Sequence, residues 1–267
     1  MQNNARNISI EIGSTDMDCI SFGKGDRNLI MIPGLGDSLK TVKGTALPFS
    51  LMYRMFAEEF KVYVISRKNQ IEKNYTTRDM AADLAYAIRK LGIQKASVMG
   101  VSEGGMIAQY LAIDYPEITE KLILAVTLCK PNKTSEEVLP HWIALAEKND
   151  FPGLFSDMSE KIYTPKRVKA QRPFNRLLAA LSKPEDLQNF IVQANACNTH
   201  DSSELIHAIE CPVLIIGGEQ DQTVGAEASY EMARLIKGSQ LKMYDGYGHG
   251  VYEECKDFNR AVYDFAK

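Results

Sequence analysis

The stretch GVSEGG, at residues 100–105, decides how the rest of this chain is interpreted. It matches the pattern G-x-S-x-G, follows the apolar run at residues 96–101 and precedes a helical pattern. Where a chain turns sharply from strand to helix, the serine is strained and side chains two positions away on either side would collide with the turn. Gly100 and Gly104 avoid that collision. The pattern therefore predicts that Ser102 is a nucleophile at the carboxyl end of a parallel strand.

Short apolar runs alternate with longer helical patterns on both sides of this motif. Such alternation predicts an α/β fold, with a mostly parallel central β-sheet, flanking helices and right-handed crossovers. The first two strands alternate apolar and polar residues, which is typical of a half-exposed antiparallel pair. The predicted strands are residues 7–12, 17–22, 29–32, 62–65, 96–101, 121–128, 213–217 and 240–244, and the predicted helices are residues 76–91, 103–115, 226–236 and 252–266.

Residues 131–207 interrupt the alternation with amphipathic helical segments, several prolines and no buried-strand pattern. We expect an all-helical insertion there, with residues 1–130 and 208–267 forming the α/β core. A cluster of basic residues predicts a solvated face: Lys166, Arg167, Lys169, Arg172 and Arg176. The large apolar residues of the insertion either line a pocket or pack against the core, and the sequence leaves both open: Trp142, Leu145, Phe151, Leu154, Phe155, Met158, Tyr163, Phe174, Leu177, Leu178 and Phe190.

A serine hydroxyl needs a base to remove its proton and a carboxylate to orient that base. The chain has four histidines, and His249 alone lies in a glycine-rich loop after the last predicted strand, GYGHG. Asp221 follows the preceding predicted strand in GGEQDQTV, and Glu219 and Asp245 are alternatives to it. The sequence favours Ser102, Asp221 and His249 as catalytic residues, in the order expected for this strand arrangement.

Acyl transfer also needs backbone N–H groups that stabilise a negatively charged oxygen. The amide of Glu103, directly after the serine, is one expected donor. The second is the amide of Leu35 in PGLGDS, the loop after the predicted strand at residues 29–32. Flanking glycines allow the tight turn that directs this amide inward. We expect Leu35 and Glu103 to form the oxyanion hole.

Composition excludes several other classes of protein. The 267 residues carry a net charge of −3, which does not favour nucleic acid as a partner. No apolar run approaches the roughly 18 residues of a membrane span, and the N-terminus lacks a signal-peptide pattern. The five cysteines are scattered, without metal-ligand spacing. We therefore expect a cytoplasmic protein with reduced thiols, no membrane span and no metal site.

These motifs resemble the α/β-hydrolase family over nearly the whole chain. PGLGDS, GVSEGG, a helical cap, GGEQDQTV and GYGHG occur in the order typical of that family. The resemblance implies a cap over the site at about residues 131–207, a Ser102–Asp221–His249 triad and Leu35 and Glu103 as oxyanion donors. The triad chemistry requires neither a metal nor an organic cofactor.

Two segments depart from the common family pattern. Pro33 precedes Gly34 where many relatives have histidine, and SRKNQ at residues 66–70 replaces a D-x-R-G-x-G-x-S segment. The Leu35 amide remains available as a donor despite the first of these changes. The second departure predicts a reshaped pocket near residues 66–70, which makes transfer from any one subfamily unsafe.

The reaction expected from these residues is cleavage of a small carboxylic ester, thioester or lactone through an acyl-enzyme. The expected partner is a small molecule with a carbonyl centre. Whether the protein forms a homodimer is not determined by the sequence. An alternative is a ligand-binding or signalling protein with slow turnover on the same fold. A C–C bond hydrolase, a lyase or a perhydrolase would use the same triad, so the substrate is not determined by the motifs.

Overall fold

The computed structural model describes residues 4–174, 179 and 183–267. The strands are β1 (Arg6–Ile12), β2 (Thr15–Phe22), β3 (Arg27–Ile32), β4 (Phe60–Lys68), β5 (Ala96–Val101), β6 (Thr119–Ala125), β7 (Val213–Gly218) and β8 (Gln240–Tyr244). They form one sheet in the order β1-β2-β4-β3-β5-β6-β7-β8. The β1–β2 and β2–β4 pairs are antiparallel, and the other neighbours are parallel. The predicted α/β class with a mostly parallel sheet is confirmed.

The α-helices of the described residues are α1 (Ala46–Met52), α2 (Thr77–Lys90), α3 (Glu103–Asp114), α4 (Lys133–Glu147), α5 (Phe151–Ile162), α6 (Pro165–Gln171), α7 (Gln188–Asn198), α8 (Ala226–Leu235), α9 (Val251–Glu254) and α10 (Phe258–Ala266). Short 3-10 turns occur at Leu35–Ser38, Arg54–Phe56, Arg172–Phe174 and Ile206–Ala208. Helices α2, α3 and α8 connect successive parallel strands. Because each crossover returns the chain to the same end of the sheet, the loops after the parallel strands share one edge.

Both faces of the sheet are buried, since the apolar strand residues alternate between two clusters. In β3, Ile30 and Ile32 pack with Leu84 of α2 and Ile107 of α3. On the opposite face, Leu29 and Met31 pack with Phe258 of α10. This two-sided burial explains why the central strands are continuous apolar runs in the sequence.

The helical insertion lies between β6 and β7 and is attached to the core by an apolar cluster. Leu35 and Met106 of the core pack there with side chains from α4, α5 and α7: Val138, Leu139, Trp142, Ile143, Ala146, Phe151, Leu154, Phe190, Ala194 and Cys197. The predicted residues Arg176, Leu177 and Leu178 lie outside the described residues. The cluster packs α4, α5 and α7 against the loop after β3 and against α3.

Most predicted elements differ from the structure by a few residues at their ends, and in two of them the difference has an identifiable physical cause. The predicted strand at residues 121–128 is β6, Thr119–Ala125, and it ends where Val126 has a φ of 44°. A left-handed β-branched residue cannot continue a strand. The predicted helix at residues 252–266 is two helices, α9 and α10. At the junction, Asp257 accepts hydrogen bonds from Lys242 and Tyr244 of β8, at 2.6 and 2.9 Å. Helical periodicity does not encode that tertiary contact.

The five cysteines are unpaired, and Cys19, Cys129 and Cys197 are buried. Within the described ranges no helix combines the length and apolar character needed to cross a membrane. The same residues contain no group of three or more His, Cys, Asp or Glu side chains placed to hold a metal ion.

Candidate active site

Ser102 lies at the turn between β5 and α3 with φ 55° and ψ −119°. This backbone conformation is strained for a residue with a side chain. A Cβ on Gly100 would lie 2.3 Å from the Gly104 carbonyl oxygen, and a Cβ on Gly104 would lie 2.1 Å from the Ile32 carbonyl oxygen. The two glycines of the motif are thus required by contacts with backbone atoms, which cannot move aside.

His249 and Asp221 complete a hydrogen-bonded chain that starts at Ser102. The Nε2 atom of His249 lies 3.0 Å from Ser102 Oγ, and its Nδ1 atom lies 2.9 Å from Asp221 Oδ2. The side chains of His249 and Asp221 are 3% and 2% exposed. Because solvent hardly reaches this pair, its hydrogen bonds compete little with water.

The loops after β7 and β8 hold these two side chains together. The second carboxylate oxygen of Asp221 accepts hydrogen bonds from the amides of Thr223 and Val224, at 2.8 and 3.0 Å. A Cβ on Gly218 would lie 2.4 Å from the Gly248 carbonyl oxygen, so the loops touch backbone to backbone. Asp221 therefore has one oxygen anchored in its own loop and the other oxygen free for His249.

The two alternative carboxylates lie elsewhere. Glu219 accepts a hydrogen bond from the Tyr230 hydroxyl on α8. Asp245 is exposed on the surface. Among the three carboxylates that the sequence left open, the structure brings Asp221 to the histidine.

The amides of Leu35 and Glu103 lie at two helix N-termini that face the same region. Leu35 is the first residue of the 3-10 turn, and Glu103 is the first residue of α3. The N–H groups of a first turn have no acceptor within their own helix. A Cβ on Gly34 would lie 3.2 Å from Ser102 Cβ, so the Leu35 loop contacts the serine directly. Both amides are therefore placed as potential donors to an oxygen bound near Ser102.

A cavity of about 820 Å³ opens beside Ser102 and His249. Core residues line one part of it, and residues of α4 and α5 line the opposite part. The lining is largely apolar and includes Met31, Phe49, Met99, Leu139, Trp142, Phe155 and Met158. Such a lining favours an apolar group next to a polar reacting centre.

The large apolar residues of the insertion divide between the cavity and its packing. Trp142, Phe155, Met158 and Tyr163 line the cavity. Phe151, Leu154 and Phe190 are at most 1% exposed and pack in the cluster described above. Phe174 is 60% exposed and, in the part of the chain that the structure describes, does neither.

Cys197 is a second nucleophilic side chain on the cavity wall. Burial raises the pKa of its thiol well above the ordinary value. A thiol nucleophile requires the thiolate form. Cys197 therefore packs as an apolar group at neutral pH.

The site contains a buried ionic cluster that the motifs did not identify. Arg67, the end of β4 in the departing segment 66–70, is 4% exposed and pairs with the buried carboxylates of Asp37 and Glu103. No sequence pattern singled out Arg67 apart from its place in the departing segment, since arginine is rarely buried unless it is paired. The amide nitrogen of Gln193 on α7, in the orientation that satisfies both of its polar atoms, donates to Glu103 at 3.1 and 3.2 Å.

Comparisons with known proteins identify the family of the chain. Residues 28–255 match the family model described as alpha/beta hydrolase fold. A 2-hydroxy-6-oxononadienedioate/2-hydroxy-6-oxononatrienedioate hydrolase of Pseudomonas sp is 25% identical over 264 residues, covering 91% of this chain and 89% of that protein. A bifunctional esterase/perhydrolase of Acinetobacter calcoaceticus is 27% identical, covering 75% of this chain and 78% of that protein.

Among solved structures, an α/β-hydrolase enzyme from a Medee basin deep-sea metagenome library superposes with a TM-score of 0.87 at 20% identity. The superposition covers 97% of this chain and 96% of that chain. The chain belongs to the α/β-hydrolase fold family.

Proposed function

We propose that this protein is a serine hydrolase that cleaves a small carboxylic ester, thioester or lactone through an acyl-enzyme on Ser102. The observation that carries the proposal is the hydrogen-bonded chain from Asp221 through His249 to Ser102, at 2.9 and 3.0 Å. These hydrogen-bonded side chains lie beside a cavity that Ser102, His249 and Leu35 line, and Glu103 directly follows Ser102 at the start of α3. Base, orienting acid and nucleophile in this arrangement are the requirements of acyl transfer.

The reaction proceeds in two steps. His249 Nε2 takes the hydroxyl proton as Ser102 Oγ attacks the carbonyl carbon, and the amides of Leu35 and Glu103 bind the resulting oxyanion. The protonated imidazole then gives its proton to the leaving alcohol or thiol. Water, deprotonated by His249, attacks the acyl-enzyme, and the acid is released with Ser102 restored. Asp221 stabilises the imidazolium in both steps.

Residues 131–207 serve as a cap in this proposal, with residues 1–130 and 208–267 as the core domain. Helices α4 and α5 of the cap contribute Leu139, Trp142, Phe155 and Met158 to the cavity. We infer that these side chains bind an apolar part of the substrate, since they surround the reacting serine with apolar surface.

Cleavage of a carbon–carbon bond is a second candidate, because the Pseudomonas sp relative covers most of the chain. The compound in that relative's name is a dicarboxylate. Among the cavity-lining residues that the structure describes, Arg167 carries a guanidinium, and Glu253 neutralises it at 2.6 Å. A cavity with a paired cation and apolar walls favours the uncharged ester, thioester or lactone.

Active-site labelling tests the proposal directly. A fluorophosphonate should label the wild-type protein and the Ser14→Ala variant, whose serine lies exposed in the β1–β2 turn. Ser102→Ala should remove the labelling and the turnover of p-nitrophenyl butyrate, with the residual rate at least 10³-fold lower. Labelling that persists in Ser102→Ala would exclude Ser102 as the nucleophile.

A panel of substrates then separates the candidates. Steady release of p-nitrophenol over many turnovers supports a hydrolase, whereas one stoichiometric burst supports a slow-turnover binding protein. Turnover of a 2-hydroxy-6-oxo-dienoate at a higher kcat/KM than any ester, thioester or lactone would favour the carbon–carbon hydrolase instead.

A further inference from the structure

Four polar side chains are buried together behind the loop at residues 33–38, which we call the oxyanion loop. None of them belongs to the triad. Arg67, Asp37, Glu103 and Gln193 are each at most 6% exposed. Burying charged groups is unfavourable unless they are paired and hydrogen-bonded. A cluster of this kind next to a reacting serine is therefore expected to stabilise a particular local geometry.

The guanidinium of Arg67 joins the two segments that carry the candidate oxyanion donors. It forms an ion pair with Glu103, the residue that supplies one amide. Its Nη2 atom also donates to the carbonyl oxygens of Pro33 and Gly34, at 2.6 and 3.2 Å. One nitrogen of the guanidinium, Nη2, thus contacts both segments at the same time.

The Gly34 carbonyl and the Leu35 N–H belong to one planar peptide unit. In a trans peptide these two groups point in opposite directions. A hydrogen bond that holds the Gly34 oxygen towards Arg67 consequently turns the Leu35 N–H away from Arg67. The Asp37 amide supports the same orientation, because it donates to the Gly34 oxygen at 3.0 Å.

Asp37, within the Leu35–Ser38 turn, contacts both the backbone and the side chain of Arg67. Its carboxylate accepts from Ser66 Oγ at 2.7 Å and from the Arg67 amide at 3.3 Å. It also lies 3.7 Å from Arg67 Nη1. The loop at Leu35–Ser38 is therefore tied to the end of β4 at several points.

We propose that Arg67 is a positioning residue for the oxyanion hole: by binding Pro33, Gly34 and Glu103 together, it orients the Leu35 and Glu103 amides before substrate arrives. This role rests on the proposed acyl-transfer function. The positioning role also assigns a function to one residue of the segment at residues 66–70, where the chain departs from the common family pattern. A preset hole needs no reorganisation when the oxyanion forms.

Kinetics of two substitutions test the role, with p-nitrophenyl butyrate as substrate. Arg67→Lys keeps a positive charge, but its ammonium ends one bond short of the Nη2 position on a flexible stem, so the Gly34 carbonyl loses its fixed partner. Arg67→Met removes the charge as well. We expect kcat to fall by about 10-fold in Arg67→Lys and about 10² to 10³-fold in Arg67→Met, with KM changed by less than about 3-fold.

A transition-state analogue separates positioning from general stability. An alkyl trifluoromethyl ketone forms a tetrahedral oxyanion on Ser102, whereas the matching secondary alcohol occupies the cavity without one. Affinity for the ketone should fall by the same factor as kcat, and affinity for the alcohol should stay unchanged. The control is Gln109→Met, which removes a buried amide that donates to Leu128 away from the site. It should lower the melting temperature while kcat and ketone affinity stay at wild-type values.

Each outcome decides the inference. We expect Arg67→Lys to fold, because it retains the positive charge between the buried carboxylates. It therefore remains informative if Arg67→Met does not fold. Arg67 variants with a lower melting temperature but wild-type kcat and ketone affinity would overturn the positioning role. Absence of fluorophosphonate labelling in the wild-type protein would instead refute the proposed function, so the two failures are distinguishable.

Discussion

The strained turn at Ser102 is where single residues have the largest predicted effect. Its φ of 55° persists because the surrounding backbone leaves room only for glycine at positions 100 and 104. The side chain of the serine is presented to the cavity by this turn. Substitutions here therefore test packing against backbone atoms that have no freedom to adjust.

Gly104→Ala should destabilise the fold by about 1–3 kcal/mol, because overpacking displaces backbone. The added Cβ would lie 2.1 Å from the Ile32 carbonyl oxygen and 2.6 Å from the Pro33 carbonyl oxygen. Gly36→Ala is the matched control, since nothing lies within 4 Å of its Cβ. Urea unfolding should show that control within about 0.5 kcal/mol of wild type. Equal stability of the two variants would contradict the contacts described here.

Asp221→Asn should lower kcat by about 10³ to 10⁴-fold with little loss of stability. The asparagine oxygen can still accept the Thr223 and Val224 amides, so its NH₂ group faces His249 Nδ1. A donor at that position imposes the tautomer that cannot take the serine proton through Nε2. Esterase kinetics of Asp221→Asn and of the exposed Asp245→Asn check this. A comparable loss in Asp245→Asn would contradict the assignment of Asp221.

Contacts between elements decide how the histidine loop meets the helical insertion. The Gly250 amide donates to the Ile162 carbonyl at the end of α5, at 2.6 Å. Thr164, between α5 and α6, donates through both its amide and its hydroxyl to Glu254, at 3.0 and 2.7 Å. The insertion is thereby tied to the residues directly after His249, so its position and the position of that imidazole are linked.

His200 joins α2 to the segment after α7 and should make stability depend on pH. Its Nδ1 lies 2.8 Å from Thr77 Oγ1, and burial lowers its pKa to about 3. The pKa in the unfolded chain is about 6.5. Acid therefore protonates the unfolded chain first. The contribution of His200 to stability is complete above about pH 6.5 and falls as the pH decreases towards 3, by about 1.4 kcal/mol per unit.

Urea unfolding between pH 7 and pH 4.5 checks this prediction. His200→Asn should lose the corresponding part of the slope against pH, because no imidazole remains to titrate. His207→Asn is the control, since His207 is exposed. That variant should retain the wild-type slope. A slope in His200→Asn identical to wild type would refute the role of His200.

At the scale of the whole molecule, the site collects residues from distant parts of the chain. The segments that follow β3, β5, β7 and β8 contain Leu35, Ser102, Asp221 and His249, and α4 and α5 of the insertion line the cavity beside them. Parallel crossovers return each strand to the same edge of the sheet. The sheet topology therefore assembles the site, and the insertion determines the shape of the cavity.

The single tryptophan of the chain should report occupation of that cavity. Trp142 is 2% exposed and lines the cavity, and its Nε1 donates to Asp157 at 2.6 Å. A long-chain fluorophosphonate that reacts with Ser102 places an alkyl chain among the apolar walls. We expect the fluorescence emission of Trp142 to shift to shorter wavelength in the wild-type protein and to stay unchanged in Ser102→Ala. A shift of equal size in both would mean that the alkyl chain binds elsewhere.

Local sequence patterns were sufficient to predict the strands, helices and serine turn, whose structure depends on residues close together in the sequence. The motif at residues 100–105 requires glycine at two positions for steric reasons, and the apolar runs predict buried strands wherever they occur. The order of strands, helices and glycine loops then predicted the sheet and the candidate positions of Ser102 and His249. The boundaries at Val126 and Asp257 were missed, because a backbone dihedral and a contact with β8 set them.

The remaining properties depend on contacts between residues far apart in the chain. Three carboxylates satisfied the local pattern, and only the packing of the loops after β7 and β8 brings Asp221, rather than Glu219 or Asp245, to His249. The sequence marked residues 66–70 only as a departure from the family pattern, and the burial of Arg67 with Asp37 and Glu103 depends on the folded structure. Ser102 was identifiable from sequence because its constraint lies within two residues. His249 and Asp221 could be named from sequence only as candidates, and the cavity could not be outlined at all, because contacts between segments far apart in the chain define them.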